Sequence, residues 1–384
     1  MDALTLQWTL LIAFGVGFFL LAPKAKTAVE FFSFSGTAKG RPSVWLLTSS
    51  LVISWIFAKS ITNAANLGMA FGLIGGVAYA AYYLSFLVAG IIIYQLRVRG
   101  GFQSIHHFLR TKFGAAAVIV FSLLIGIRLF NEVWSNTMVI GSYFGESGSL
   151  DYYMAILVFT GLTLAYTARG GLRSSLLTDA IQMVFFGVLL VVVLSFILGN
   201  SGEADMGGAM FRGEMETAGG LNLLFVALIQ IFSYPFHDSV MTDRGFISDP
   251  KTTLRSFIYA AGIGFVCLTL FSFVGIFAQT QGATGQAAVA VSKMMGVGAM
   301  LAMNFIMITS AASTLDSAFS SFSKLVVVDL GQQTPTVNRG RVIMVVFTLA
   351  GTMPVFLNPE ILSATTVSGT MVMGLAPVFL LWNR

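Results

Sequence analysis

Ser310, Ser313, Thr314 and Ser317, within MITSAASTLDSAFSSFSK (307–324), recur at intervals of three and four residues and so share one face of a helix. In apolar helices such hydroxylated residues usually permit close packing or bond back to their own carbonyls. The chemical alternative is coordination of a hard cation. Sodium takes five or six oxygens, which hydroxyls and backbone carbonyls freed from a helix ladder can supply. Asp316, one turn from Ser313, adds a carboxylate to the stripe.

A second polar stretch is SWIFAKSITNAANLGMAFG (54–72), where Lys59 sits among Ser60, Thr62, Asn63 and Asn66 inside an apolar segment. A lysine at the centre of a membrane helix costs about 2.5–3.5 kcal/mol, so a partner is expected. Three readings are open: a pair with Asp316, a contact to a carboxylate on a substrate, or an ammonium standing in for a metal ion. Pairing is preferred and substrate contact comes second; the plain alternative is a lysine snorkelling towards water. A third stretch, IQIFSYPFHDS (229–239), places Pro235 among Ser233, Tyr234, His237 and Asp238. Proline removes a donor and clashes with the preceding turn, so the helix should break there. Asp238 is then expected to cap the following helix, and His237 to hydrogen-bond in a cavity or relay a proton. Arg128 and Glu132, four residues apart in GIRLFNEVWSN, should form an internal ion pair, with substrate binding the weaker reading. Neighbouring Asn131 and Trp134 line a cavity or simply pack. No nucleophile constellation, phosphate loop or His/Cys/Glu cluster points to an enzyme or a transition metal.

These residues need a bilayer around them. The 384 residues are 56% hydrophobic and 10% charged, where a soluble domain carries roughly a quarter charged residues. An all-α polytopic membrane protein is expected, with eleven spans near 5–22, 44–64, 70–94, 115–143, 151–167, 176–199, 221–240, 257–280, 294–325, 341–357 and 361–381. With alternate connections on opposite sides, sixteen of the 21 basic residues share one side, two lie on the other, and Lys59, Arg128 and Lys324 fall within spans. The positive-inside rule puts the N-terminus outside and the C-terminus in the cytoplasm. The net charge of +5 is thus a topology signal and calls for no nucleic acid. The lone Cys267 reads as a packed residue. MDAL at the start lacks Lys and Arg, and no cleavage pattern follows FFLLAP, so an uncleaved accessory helix is expected.

The Gly-rich stretch 199–220 reads as a solvated outside connection and divides the rest. Residues 1–43 hold the accessory helix and a cytoplasmic loop, 44–199 five spans, 200–220 the loop, and 221–384 five more. Five spans on either side have opposite topology, the inverted-repeat plan of secondary transporters. Each repeat should open on a broken helix, the first within AKSITNAANLG and the second at Pro235, with a substrate site between them.

The motifs resemble the solute:sodium symporter family, which includes sodium/proline, sodium/galactose and sodium/sialic acid transporters. RGGLRSSLLTDAIQ (169–182) resembles its segment of paired glycines closing on Thr-Asp-x-x-Gln. STLDSAFSSFSKLVVVDL (313–330) resembles its sodium-site helix, DRGFISDPKTTLRS (243–256) its cytoplasmic Gln-Arg segment, and GLAPVFLLWNR the end of its tenth core helix. The resemblance implies a LeuT-type five-plus-five inverted repeat behind one accessory helix. It implies a sodium site of carbonyls from Ala58, Ile61 and Ser310 with side-chain oxygens of Ser313 and Thr314, and Asp179 near the inward exit for the ion. Asp243 replaces the family's usual Gln, altering a cytoplasmic contact. The expected function is sodium-driven symport of a small polar organic solute in the plasma membrane. An amino acid or organic acid is favoured by Lys59, and a sugar or urea stays open. The cavity residues expected to meet the solute are Lys59, Asn63, Asn66, Asn131, Ser233, Tyr234 and His237, while Asp316, Arg128, Glu132 and Asp238 carry internal charge pairing. The partners expected are the solute and the bilayer, with no obligate protein partner evident. A proton-coupled or ion-independent carrier, with Lys59 in place of sodium, and a transporter-like solute sensor are the alternatives.

Overall fold

A computed structural model describes residues 2–33, 41–202, 205–211, 213–331, 334–360, 363, 367 and 369–384. The described residues are helical, joined by turns. Helix α1 (Ala3–Leu21) starts where the Asp2 carboxylate accepts the Thr5 N–H, and α2 (Ala28–Phe32) is a single turn and a half beyond it. Helices α3 (Val44–Trp55) and α4 (Ala58–Phe71) form a pair bent by 62°. Helices α5 (Leu73–Ala80) and α6 (Ser85–Val98) run on through a 3-10 turn as one apolar span.

The expected spans 151–167 and 176–199 fall in two helical segments joined at a kink at Gly171 and taken together as one helix. Helix α7 (Ile105–Phe144) precedes it, and α8 (Leu150–Asn200) carries 51 residues. At 1.5 Å per residue α8 is about 77 Å long, more than twice the apolar thickness of a bilayer, so it must bend. It does so at Gly171, φ 59°, where an added Cβ would lie 2.2 Å from the Phe31 carbonyl oxygen. Helix α7 likewise starts ten residues ahead of its expected span and bends at Gly114. The stretch 199–220 is also more ordered than a plain loop: it holds α9 (Met206–Met210) and the start of α10 (Glu214–Gln230).

After α10 the chain breaks into a 3-10 turn, Tyr234–His237, before α11 (Ser239–Arg244). Then come α12 (Pro250–Thr280), α13 (Ala287–Met294), α14 (Gly296–Lys324) with a π turn at Leu325–Asp329, α15 (Val337–Thr352) and α16 (Leu375–Leu380). Pro235 is the second residue of the 3-10 turn and Pro250 the first of α12, positions where no N–H is needed. Among the described residues seven helices are long and apolar enough to span a membrane, and the bent pair makes an eighth. The count of eleven is thus not confirmed among the described residues. The two spans expected over 151–199 are the kinked segments of α8, the span over 221–240 is interrupted at Tyr234–His237, and six of the 21 residues in 361–381 lie outside the described residues.

Helix α14 packs chiefly on α8, and α12 on α4. Side chains such as Val184, Val188, Phe225 and Leu349 face outward at around two-thirds exposure, as lipid-facing residues should. The α4–α12 seam is backbone against backbone: a Cβ on Gly275 would lie 1.7 Å from the Ala65 carbonyl oxygen, and one on Gly68 2.3 Å from that of Ser272. Small residues allow this approach. Gly275→Ala is expected to lower the Tm in detergent, by at least the roughly 1–3 kcal/mol of ordinary overpacking. Gly262→Ala, on the open side of the same helix, should leave it unchanged. Equal Tm values for the two variants would refute the tight seam.

Candidate functional site

Among the described residues, three polar regions bear on function. The first joins α3, α8, α11 and α14. Its centre is Asp179 on α8, which accepts hydroxyl protons from Ser50 (2.5 Å) and Ser54 (3.1 Å) on α3 and from Ser313 (2.5 Å) on α14. Arg244, the last residue of α11, reaches in with Nη2 3.0 Å from Asp179, 2.8 Å from Ser317 and 3.3 Å from both Ser54 and Ser175. Its Nε donates to Ser50 at 2.6 Å. One turn along, Asp316 accepts from Ser175 (2.7 Å), Tyr166 (3.0 Å) and Thr178 (3.1 Å). Asp179, Arg244, Ser313 and Asp316 are each 0% exposed.

The small-residue spacing explains how three helices approach so closely. Ser50 and Ser54, Ser175 and Asp179, and Ser313 and Ser317 are each i,i+4 pairs facing a common centre. The sequence reading found the stripe on α14 but missed Ser50, Ser54, Ser175, Tyr166 and Arg244. The i,i+4 serine pair on α3 was the available signal for two of them. Asp179, expected near the inward exit for the ion, lies directly on Ser313 at 2.5 Å.

The second region lies between the helix breaks. The first break falls at Ile56 and Phe57, whose ψ values of 73° and 146° are non-helical, two residues ahead of the stretch expected to unwind. Ala58 and Ile61 therefore sit in the first turns of α4, and the Ala58 carbonyl accepts the Thr62 hydroxyl. Thr314 donates to the Ser310 carbonyl in the same way, at 2.9 Å. The helix start is capped from outside: Asn136 on α7 accepts the Lys59 N–H. Local sequence does not reveal this, because the cap comes from 77 residues away.

Lys59 corrects the preferred expectation. Its Nζ is 2.8 Å from Glu132 Oε1 on α7, and Asp316 is not its partner. Arg128 Nη1 meets the same Glu132 oxygen, confirming the i,i+4 pair, and Arg128 Nη2 lies 3.3 Å from Asp238 Oδ2. Asp238 caps α11 as expected, accepting the N–H groups of Val240 and Met241. Two cations and two carboxylates thus link the two breaks through α7. Lys59 also stands over the Phe57 ring at 5.2 Å, and Arg128 over Phe57 at 5.2 Å and Tyr234 at 5.4 Å. Phe57 and Tyr234 border a small cavity of about 10 Å³ walled by Trp55, Tyr79, Tyr82 and Tyr83.

His237 Nδ1 donates to the Tyr234 carbonyl at 2.5 Å, and among the described residues its Nε2 has no partner. Ser233 bonds back to the Gln230 carbonyl. Asn131 accepts the Trp134 indole N–H, and Trp134 packs with Met138, Tyr152 and Val355, away from the charged group.

The third region is an open cavity of about 400 Å³ at one end of the bundle, lined by Thr62, Asn63 and Asn66, midway along α4, with Ser142, Gln286 and Glu360. Asn63 also donates to Tyr79 OH, and Asn66 accepts the Ala287 N–H. The opposite end, which carries most of the basic residues, is cross-linked by charged side chains. Arg97 on α6 donates to the carbonyls of Gly245 (2.8 Å) and Ser248 (2.5 Å). Lys324 bridges Asp243 (2.7 Å) and Asp329 (3.0 Å), so the unusual Asp243 has a cationic partner. Nearby on this face, the Lys26 N–H and then Arg173 hold the Glu30 carboxyl below the usual carboxylate range.

A bent helix pair, a hydroxyl-bearing α14 and an open cavity at one end of the bundle are the features to set beside known proteins. Residues 37–207 match the sodium:solute symporter family. The matched stretch includes α3 to α8 and so carries Lys59, Glu132 and Asp179. The chain is similar to sodium/glucose cotransporter 1 of Mus musculus, 28% identical over 177 residues, covering 44% of this chain and 25% of that protein. It is also similar to sodium/myo-inositol cotransporter 2 of Homo sapiens, 30% identical over 151 residues, covering 37% and 22%. The matched stretches span about a quarter of the length of these relatives. Its fold resembles that of a Na+-coupled sialic acid symporter in a substrate-bound outward-open state, with TM-score 0.70, 16% identity, and coverage of 97% of this chain and 86% of that one. MhsT in complex with L-phenylalanine has TM-score 0.64 at 14% identity. The expected family resemblance and LeuT-type fold are borne out. The proteins matched by sequence are, by name, transporters.

Proposed function

We propose that this protein is a secondary active transporter that couples a sodium gradient to uptake of a small, uncharged polar solute. The observation that carries the reading is the cluster around Asp179. It sets two carboxylates, Asp179 and Asp316, against one guanidinium, Arg244, in a fully buried place rich in hydroxyls. That leaves a formal charge of minus one, and a monovalent cation held by oxygens balances it. Ser313 bridges this cluster to the expected ligands Ser310 and Thr314 on the same face of α14. The backbone oxygens of Ala58 and Ile61 complete the proposed site only if α4 loosens at its first turn, next to the break. Lys59 does not replace the ion, because its ammonium is committed to Glu132.

The same commitment removes the case for an acidic solute. Lys59 and Arg128 are neutralised within the chain, so weight passes to the open cavity, whose amides and hydroxyls suit hydroxyl or amide groups on an uncharged solute. The glucose and myo-inositol named for the relatives are of that kind. The solute enters from the cavity on the extracellular side, while the Arg97 and Lys324 contacts close the cytoplasmic side. The two halves, 44–199 and 221–384, act as inverted repeats in the plasma membrane, with the N-terminus outside. Alternating access follows if ion and solute both favour the outward state.

Proteoliposomes test this with glucose, myo-inositol, urea, proline and lactate under a sodium gradient, a proton gradient or neither. Sodium-driven accumulation of an uncharged solute is expected, and Ser313→Ala should raise the sodium concentration for half-maximal uptake about tenfold, the loss of about 1.4 kcal/mol of ion binding. Uptake indifferent to sodium, or an unshifted Ser313→Ala, would overturn it.

A further inference from the structure

A buried site that recognises an ammonium group needs carboxylates to pair it and aromatic faces to receive it. The space between the two helix breaks holds both: Glu132 and Asp238 for charge, Phe57 and Tyr234 for ring faces. All four are engaged by the chain's own cations, Lys59 and Arg128. Lys59 is the second residue of α4, where a positive charge opposes the helix dipole. Glu132 and the Phe57 face compensate it there, and the side chain is 1% exposed. We propose that Lys59 is a specificity-determining residue, a tethered amine that fills an ammonium site between the two breaks and so excludes solutes bearing a free ammonium group. This rests on the transport reading for its consequence, and on the geometry alone for the existence of the site.

The fragment that Lys59→Ala removes is three methylene carbons and the amine, which is n-propylammonium. The variant keeps Glu132 and the Phe57 ring and gains a space of that fragment's shape. Thermal unfolding in lipid nanodiscs, titrated with propylammonium chloride and with tetramethylammonium chloride at equal ionic strength, reads the site without any transport. Lys59→Ala is expected to lose Tm and to recover most of it, saturably, with propylammonium but not with tetramethylammonium, whose methyl groups leave no N–H for Glu132. Lys59→Met, which fills the space without charge, should gain nothing. Wild type should show no saturable shift with either salt. A saturable shift in wild type overturns the proposal even if Lys59→Ala does not fold. Equal responses to the two salts in Lys59→Ala overturn it as well. In proteoliposomes, primary amines should leave wild-type uptake unchanged and inhibit uptake by Lys59→Ala. Inhibition of wild type by amines also counts against it, whereas a failure of sodium-driven uptake would strike the transport reading and leave the nanodisc result standing.

Discussion

Glu132→Gln is expected to be the most damaging single substitution, costing about 3–5 kcal/mol of stability, the usual penalty for removing one partner of a buried ion pair. Glu132 is shared: Lys59 Nζ and Arg128 Nη1 both lie on its Oε1, and Asn136 donates to its Oε2 at 2.9 Å. Glutamine keeps the size and loses the charge, leaving two buried cations to share Asp238. Adding Lys59→Met to Glu132→Gln restores balance, because Arg128 and Asp238 then remain as one pair. The double variant should therefore be more stable than Glu132→Gln alone, with a coupling energy of about 0.5–3 kcal/mol in a double-mutant cycle. Additive Tm losses would show that Lys59 and Glu132 do not hold each other in solution.

The second large effect concerns sodium and has opposite signs for the two partners of one ion pair. Asp179→Asn removes a carboxylate that accepts from Ser50, Ser54, Ser313 and Arg244. It leaves the cluster formally neutral, so sodium should cease to raise the Tm, and sodium-driven uptake should fall by more than tenfold. Arg244→Gln makes the cluster more negative. Its Tm without sodium should drop, and the increment produced by sodium should exceed that of wild type. A ligand at one hundred times its Kd stabilises by about 2.7 kcal/mol, so a nanodisc melting curve in sodium chloride against choline chloride resolves the contrast. A shift of the same size in wild type, Asp179→Asn and Arg244→Gln would mean that the ion binds elsewhere.

How far these residues could be found without coordinates depended on whether their signal was local. Pro235 announces the second break because its ring forbids the helix ladder, and Asp238 announces the cap that follows. Arg128 and Glu132 announce each other by their four-residue spacing. The first break has no such marker. Ile56 and Phe57 are ordinary helix-compatible residues, and the bend is fixed by Asn136 and by the Trp55 carbonyl accepting the Tyr83 hydroxyl at 2.5 Å, both contacts from other helices. Lys59 announced that it needed a partner but could not say which. Glu132, 73 residues away, and Asp316, far later in the chain, both lie beyond any local spacing rule, and only packing chooses between them. Arg244 was hidden by its position, since it follows a break at the end of a short helix and reads as one more basic residue on the basic side. The connection expected between spans ending at 167 and starting at 176 is a kink at Gly171, where one residue of positive φ turns α8 and helix resumes on the far side.

The glycine seam between α4 and α12 carries a mechanical consequence. With the Gly275 and Gly68 positions pressed onto opposing carbonyls, neither helix has clearance to slide along the other, so the two must travel as a single lever. Midway along the lever Asn63 and Asn66 line the open cavity, and its near end is pinned to α7 by Lys59. Ile56 and Phe57 then serve as the elbow, and a disulfide or proline that stiffens those two residues should arrest the swing while leaving the lever itself intact.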